Sequence, residues 1–267
     1  MNLTSVPRSE DDVDDPAQWP GRSGDGAAGT LGRAIAEKVE RAGGTVFRTD
    51  LRGNIGRNID QSHDVTREED WRNVIAALGQ RFGRLDGLVN NAGILHIGSV
   101  EDTSLADWHR VMSVNADSVF LGCHCAWELL GRSQTASIVN ISSVSRIVGG
   151  ANLTAYNASN GAVRLLTKSV ALHSARQTPP DRCNSVHPSF VEGAMAEAAL
   201  AAATNPERAL TGMVRDIPMG RLARPGSDRV SQHSGGEDAK EVAPPHSMIR
   251  LASSQSRRLG EWQRRRQ

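Results

Sequence analysis

From Gly26 onward the chain alternates short continuous apolar runs with longer stretches in which apolar residues recur every three or four positions. The recurring pattern lays apolar side chains along one stripe of a helix, while the short run is that of a strand buried on both faces. Leu31, Ile35 and Val39 mark a helix ending near Gly43-Gly44. Thr45-Val46-Phe47, running to Asp50, reads as a short buried strand, and Trp71, Val74, Ile75 and Leu78 as a second helix. Leu85 to Val89 is a strand leading into Asn90-Asn91-Ala92-Gly93. Trp108, Val111, Met112, Val119 and Phe120 lie on a long helix, and Ser137 to Ser142 form a strand. Residues 155–174 form a helix with Val163, Leu166, Val170 and Leu172 mostly inward, and Arg182 to Val186 a strand followed by His187-Pro188. Strands alternating with helices predict βαβ units, hence an α/β fold with one doubly wound parallel sheet. Ligands of such sheets sit at the carboxyl ends of the strands. The loops after residues 89, 142 and 186 all follow strands, so they are expected to meet at one edge.

The ends break this pattern. Residues 1–25 are rich in Pro, Gly, Ser, Asp and Arg and are expected to form a disordered tail. Residues 226–267, with Gly235-Gly236, Pro244-Pro245 and Arg264-Arg265-Arg266, read as an irregular C-terminal tail. Residues 26–225 are left as the domain. Its bulk is globular in composition, with 38% hydrophobic and 23% charged residues. A net charge of +1 gives no electrostatic reason to expect a nucleic-acid or membrane partner. No apolar run approaches the roughly 20 residues of a membrane helix, and the acidic N-terminus lacks a signal-peptide core, so the expected location is cytoplasmic. Three cysteines argue against a disulfide framework. Cys123-His124-Cys125 suggests a metal site at first sight. Alternate residues on a helix point about 200° apart, however, and no metal is expected.

Gly26-Ala-Ala-Gly29-Thr30-Leu31-Gly32 precedes the first helix. Glycines there let backbone approach a pyrophosphate, which then sits against the helix N-terminus. Taken alone the loop is equally an ordinary helix start. Asp50, about 20 residues after it, can accept hydrogen bonds from ribose hydroxyls and repel a 2′-phosphate, favouring NAD over NADP. Arg48 and Arg52 stand nearby and pull the other way. Ser143 is followed thirteen residues later by Tyr156, at the opening of a helix.

Together, Asn90–Gly93 after an apolar strand and the Ser143–Tyr156 spacing resemble the classical short-chain dehydrogenase/reductase family. The resemblance implies a Rossmann-type sheet, a nicotinamide cofactor, and a homo-oligomer (tetramer or dimer) built through the helices at about 103–130 and 155–174. It implies that Tyr156 is the general acid/base and that Ser143 positions the substrate oxygen. It also implies that Asn115, in Val114-Asn115-Ala116, supports a proton-relay water. Gly26, Thr30, Leu31, Gly32, Asn91, Ala92, Gly93, Pro188, Ser189 and Val191 fall at cofactor positions, and Asp64-Val65 at the adenine pocket. The family pattern continues Tyr-x-x-x-Lys, where this chain has Tyr156-x-x-x-Asn160. A phenol of pKa near 10 works as a base at neutral pH only when tuned down, and a neighbouring ammonium does that. Asn160, one turn from Tyr156, can bond a ribose hydroxyl but carries no charge. Lys168 lies about 12 Å further along the helix.

Other departures accompany it. Thr30 stands for the family's middle glycine, Ser189 for a glycine, and Gly193 for a threonine. The family's first and last strands are not legible here and read as degraded. Several stretches, among them Gly161 to Lys168 and Asn184 to Pro188, look most like bacterial hydroxysteroid and alicyclic-alcohol dehydrogenases. They imply a small-molecule secondary alcohol or ketone substrate, with the alanine-rich segment 190–220 as its lid. The missing lysine leaves an alternative open: a family member that is impaired or dead and only binds nucleotide or partners.

Overall fold

The computed structural model describes residues 2–4, 26–51, 58–134, 136–178, 180–215 and 217–225. In chain order these form β1 (Asn2–Thr4), α1 (Thr30–Arg41), β2 (Val46–Asp50), β3 (Gln61–Ser62), α2 (Glu68–Phe82) and β4 (Gly87–Asn90). They continue with α3 (Leu105–Met112), a π turn (Ser113–Asp117), α4 (Ser118–Leu130), β5 (Ser137–Ile141) and a 3-10 turn (Val144–Arg146). The last elements are α5 (Thr154–Ser174), β6 (Arg182–Val186), α6 (Ala194–Ala201) and α7 (Pro206–Arg215).

Every strand pairing is parallel: β1 with β2, β2 with β3, β4 with β5, and β5 with β6. β1 also lies alongside β4, which gives the spatial order β3-β2-β1-β4-β5-β6. The chain therefore reverses its winding direction between β1 and β4. A crevice opens at such a reversal, outside the carboxyl ends of the strands. The α/β doubly wound fold expected from the alternation is present.

One expectation about the ends is corrected. Residues 2–4 form a strand instead of belonging to an irregular tail, so a first strand does exist. Three residues carry too little pattern to read, and the pairing Asn2↔Val46 to Thr4↔Arg48 comes from the neighbouring backbone. The remainder of 1–25 and all of 226–267, where the family's last strand was sought, lie outside the described residues.

The core is continuous across the sheet. Phe47, Val65, Trp71, Val74, Leu78, Leu85, Leu88, Val119, Leu130, Ile138 and Val163 are buried in one cluster. Each large aliphatic side chain buried this way stabilises the fold by about 1.5–3 kcal/mol. α4 approaches the sheet so closely that a Cβ on Gly122 would sit 2.8 Å from the Trp71 ring and against the Asn90 carboxamide. Leu172, expected inward, is half exposed. It lies beyond the stripe that runs through Val163, Thr167 and Ser174.

A polar thread runs through this core. Asn90 Nδ2 donates to Asn140 Oδ1 at 2.8 Å, and Asn140 Nδ2 donates to Thr167 Oγ1 at 2.9 Å. Thr167 Oγ1 in turn donates to the Val163 carbonyl at 2.7 Å. Asn90 and Asn140 are direct partners in the β4–β5 ladder. A one-residue slip would strand buried amides without partners, so the thread fixes register. Cys123 and Cys183 flank it as buried free thiols, and the neighbouring Cys123 thiol together with burial pushes Cys183 well above the ordinary thiol range. Among the described residues no group of three or more His, Cys, Asp or Glu is placed to hold a metal ion. No described helix is long and apolar enough to cross a membrane.

Candidate active site

A cavity of about 290 Å³ opens at the carboxyl edge of β4, β5 and β6, beside the first turn of α1. Its polar wall includes Ser143, Tyr156, Asn160, Asn115 and Asn91, and its far side is formed by Pro188 to Gly193 and α6. The loops after β4, β5 and β6 thus meet as the alternation requires.

Ser143 is set by the end of β5. Ser142 N donates to the Val186 carbonyl at 2.8 Å and Val144 N to the Pro188 carbonyl at 3.0 Å, which ties the loop to the strand beyond. The Ser143 hydroxyl accepts from Ser145 N at 3.2 Å, capping the 3-10 turn. Nearby His187 is pushed down to about 4, first by burial and then by the Arg146 guanidinium, and so is neutral at pH 7. Its Nε2 lies 2.8 Å from Ser185 Oγ.

Tyr156 and Asn160 lie one turn apart in α5. Asn160 is buried, and its Nδ2 donates to the Tyr156 carbonyl at 3.0 Å. Its own carbonyl accepts from Ser142 Oγ at 3.2 Å. The residue one turn after Tyr156 thus brings neutral amide chemistry and spends one donor on its own helix.

Asn115 sits in a π turn between α3 and α4, a feature that often marks functional sites. Its Oδ1 accepts from Ile94 N at 2.8 Å, and its Nδ2 donates to the Ile94 carbonyl at 2.9 Å and to Ser159 Oγ at 3.1 Å. One side chain thereby fastens the Asn90–Gly93 loop to α5. The helical period of the sequence runs straight through this turn, so only these contacts reveal it.

At the other end, α1 starts after Gly29, which has no side chain to cap the N–H groups of the first turn. Thr30 and Leu31 line the cavity. Gly32 is packed against the Gly26 carbonyl, and a Cβ there would have no room. Asp50 is fully buried behind the loop, its carboxylate accepting from Ala28 N at 2.6 Å and Leu51 N at 2.7 Å. Arg48 is engaged by Glu40 at 2.6 Å, and Arg52 lies outside the described residues.

The family model described as enoyl-(acyl carrier protein) reductase matches residues 26–227. The chain belongs to the short-chain dehydrogenase/reductase family. It is 36% identical over 212 residues to cyclopentanol dehydrogenase of Comamonas testosteroni, covering 75% of this chain and 82% of that one. It is 34% identical over 194 residues to 3-beta-hydroxysteroid dehydrogenase of the same organism, covering 69% and 76%. A third relative, the NADP-dependent (R)-specific alcohol dehydrogenase of Lentilactobacillus kefiri, is 36% identical over 174 residues, covering 61% and 69%. Among solved structures, ligand-free aldohexose dehydrogenase of Thermoplasma acidophilum superposes with a TM-score of 0.69 at 29% identity, covering 84% and 82%. As a member of this family with dehydrogenase relatives, the chain is an oxidoreductase by descent.

Of the residues anticipated from sequence, Thr30, Leu31, Asn91, Ala92, Gly93, Asn115, Ser143, Tyr156, Asn160, Pro188, Ser189 and Val191 line the one cavity. Gly26, Gly32, Asp50, Asp64 and Val65 do not. Asp64 Oδ1 instead accepts from Thr66 N at 2.9 Å and Thr66 Oγ1 at 2.6 Å, closing the turn that precedes α2. The Val65 side chain is in the core, and its carbonyl accepts the Trp71 indole at 3.0 Å. Sequence reasoning missed Leu95, Ile97 and Leu153, which form the apolar wall together with Phe190, Met195 and Met213 of the expected 190–220 lid. The signal of the first three was only apolar character in loops, which many surface loops share.

Proposed function

We propose that the chain is a nicotinamide-dependent dehydrogenase/reductase of secondary alcohols and ketones, slowed by the absence of an ammonium at position 160. The observation that carries this reading is that Ser143 and Tyr156 line the same cavity as the uncapped first turn of α1 and the Asn91–Gly93 loop. The residues fit a dinucleotide. Open N–H groups at the start of α1 suit a diphosphate, and Thr30 and Leu31 lie where it would pass. When bound, the nicotinamide supplies or takes the hydride. The Tyr156 hydroxyl gives or takes the matching proton at the substrate oxygen, and the Ser143 hydroxyl holds that oxygen in place. The wall of Leu95, Ile97, Leu153, Phe190 and Met213 excludes water and suits an alicyclic or steroid-like carbon skeleton.

NAD is preferred over NADP on two counts. The Asp50 carboxylate stands at the end of β2, and Arg48 is held by Glu40 and so is not open to a 2′-phosphate. Half-exposed Phe120 on α4 and exposed Leu165 and Leu172 on α5 favour a homo-oligomer, a tetramer or dimer, built through these helices. Light scattering on the purified chain reads the assembly directly.

The test of function is NAD reduction with a panel of cyclic secondary alcohols, alongside NADH binding followed by fluorescence. Turnover of any of these alcohols supports the reading, and a chain that neither turns over nor binds NADH overturns it. A second reading, nucleotide binding without turnover, is favoured by the neutral Asn160. Binding without reduction of NAD would establish it.

A further inference from the structure

Thr30 and Gly193 come from opposite ends of the domain and meet across the cavity that both line. A Cβ built on Gly193 would lie 2.5 Å from Thr30 Oγ1, 2.8 Å from its Cβ and 2.9 Å from its Cγ2. Contacts that short do not occur between real side chains, so Thr30 occupies the space a side chain at 193 would take. Gly193 also has φ +142°, a backbone conformation that only glycine adopts without strain. It is the N-cap of α6, the helix that brings Met195 and Ala199 to the cavity. Thr30 opens α1, where the uncapped N–H groups are. Among the described residues the Thr30 hydroxyl makes no hydrogen bond, though it stands at a polar mouth.

From this geometry we infer that Thr30 is a cofactor-positioning residue. Its hydroxyl, set between the start of α1 and the hinge of α6, donates to a diphosphate oxygen of the dinucleotide, and it holds this place only because position 193 has no side chain. The departures at 30 and 193 are then one exchange: the side chain between these two walls comes from the glycine loop, and the opposite wall gives way to it. The inference rests on the nicotinamide-cofactor reading above. It adds that a side chain standing for the family's glycine contributes to holding the cofactor.

The test measures dissociation constants of NADH, ADP-ribose and AMP for the full chain and its variants, with circular dichroism confirming that each is folded. Thr30→Val keeps the shape and removes the hydroxyl. It should weaken NADH and ADP-ribose about tenfold, the loss of one charge-assisted hydrogen bond. Thr30→Ser, which keeps the hydroxyl, should stay within about threefold of the parent. Gly193→Ala should weaken NADH by about tenfold or more, because the added methyl meets Thr30 and φ +142° strains any side chain there. Unchanged binding in Thr30→Val overturns the inference. A loss for NADH without one for ADP-ribose overturns the diphosphate assignment. A parent chain that binds none of the three overturns the cofactor reading itself, whereas a parent that binds with an inert Thr30→Val refutes only the present inference.

Discussion

The two halves of the sheet differ in how firmly they are registered. β4, β5 and β6 pair over four and five residues, and the Asn90–Asn140–Thr167 thread locks them together. β1, β2 and β3 pair over three and two residues only. The groups suited to proton transfer, Ser143, Tyr156 and Asn115, come from the first half and the helices packed on it. The glycine loop and Asp50 belong to the second. The half that carries Ser143 and Tyr156 is thus held by long ladders and buried amides. The half that carries the glycine loop is held by single contacts such as Ala28 N to Asp50 and by the close packing of Gly32. What the first half lacks is one charge; what has changed where the halves meet is shape, with Thr30 of the second half against Gly193 of the first.

The sharpest way to break this comparison is Asn160→Lys. If the long-paired half is intact apart from its missing charge, the substitution raises NAD reduction by about 10²–10⁴-fold, the usual contribution of tuned acid–base catalysis. Tyr156→Phe in the same background should remove that gain. Steady-state kinetics at saturating NAD measures both. No gain in a variant that still binds NADH would mean that the defect lies in the cofactor half.

Trp71 stands where the halves share a core. Its indole donates to the Val65 carbonyl, its ring meets His63 edge-on at 4.2 Å, and α4 packs on it through Gly122. Trp71→Ala should cost about 3–5 kcal/mol in denaturant unfolding while keeping one cooperative transition. Two separated transitions would show that the halves fold on different cores.

His63 gives the short-paired half a pH dependence. It is fully buried, with Nδ1 3.2 Å from Thr49 Oγ1, and burial pushes its pKa down to about 3. The unfolded chain takes up the proton near pH 6.5, and the folded chain only near 3. The stabilisation is therefore complete above pH 6.5 and is lost progressively as pH falls toward 3. At pH 5 the loss is about 2 kcal/mol from this group. His187, lowered to about 4, adds in the same direction. Thermal melts at pH 7 and pH 5 should show the drop, and His63→Phe should reduce it. An equal drop in the variant would move the cause to the other half.

How much could be read in advance follows the same division. Strand–helix alternation from Leu85 to Val186 was legible because each element is long enough to show its period. The family motifs there are contiguous, so their meeting in space followed from topology. β1 and β3 carry three and two residues, too few for any pattern. The π turn at Asn115 breaks no hydrophobic period. The inward reading of Leu172 failed because it lies about 180° around the helix from Val163, opposite a buried stripe that continues to Ser174. Asp64 matched a motif, and its carboxylate is taken up by Thr66 in the turn ahead of α2. The Thr30–Gly193 contact joins residues distant in sequence, and each by itself reads only as a lost family residue. Local pattern reports local structure, whereas a compensating pair becomes visible only when the fold closes it.

The smallest effect distinguishes the halves by their glycines. Gly161 lies inside α5 with nothing within 4 Å of its would-be Cβ, while the same atom on Gly32 would run into the glycine loop and stand 3.0 Å from Asn91 Nδ2. Gly161→Ala should stabilise the chain by about 0.5–1 kcal/mol, because alanine loses less backbone freedom on entering a helix. Differential scanning calorimetry should register this as a rise of about 1–4 °C in Tm. Gly32→Ala, which gains the same helical preference, should lower Tm and weaken NADH binding. A fall in Tm for Gly161→Ala would carry a different message. The space beside α5 would then be filled in solution by a second copy, and light scattering on the variant would show the assembly loosened.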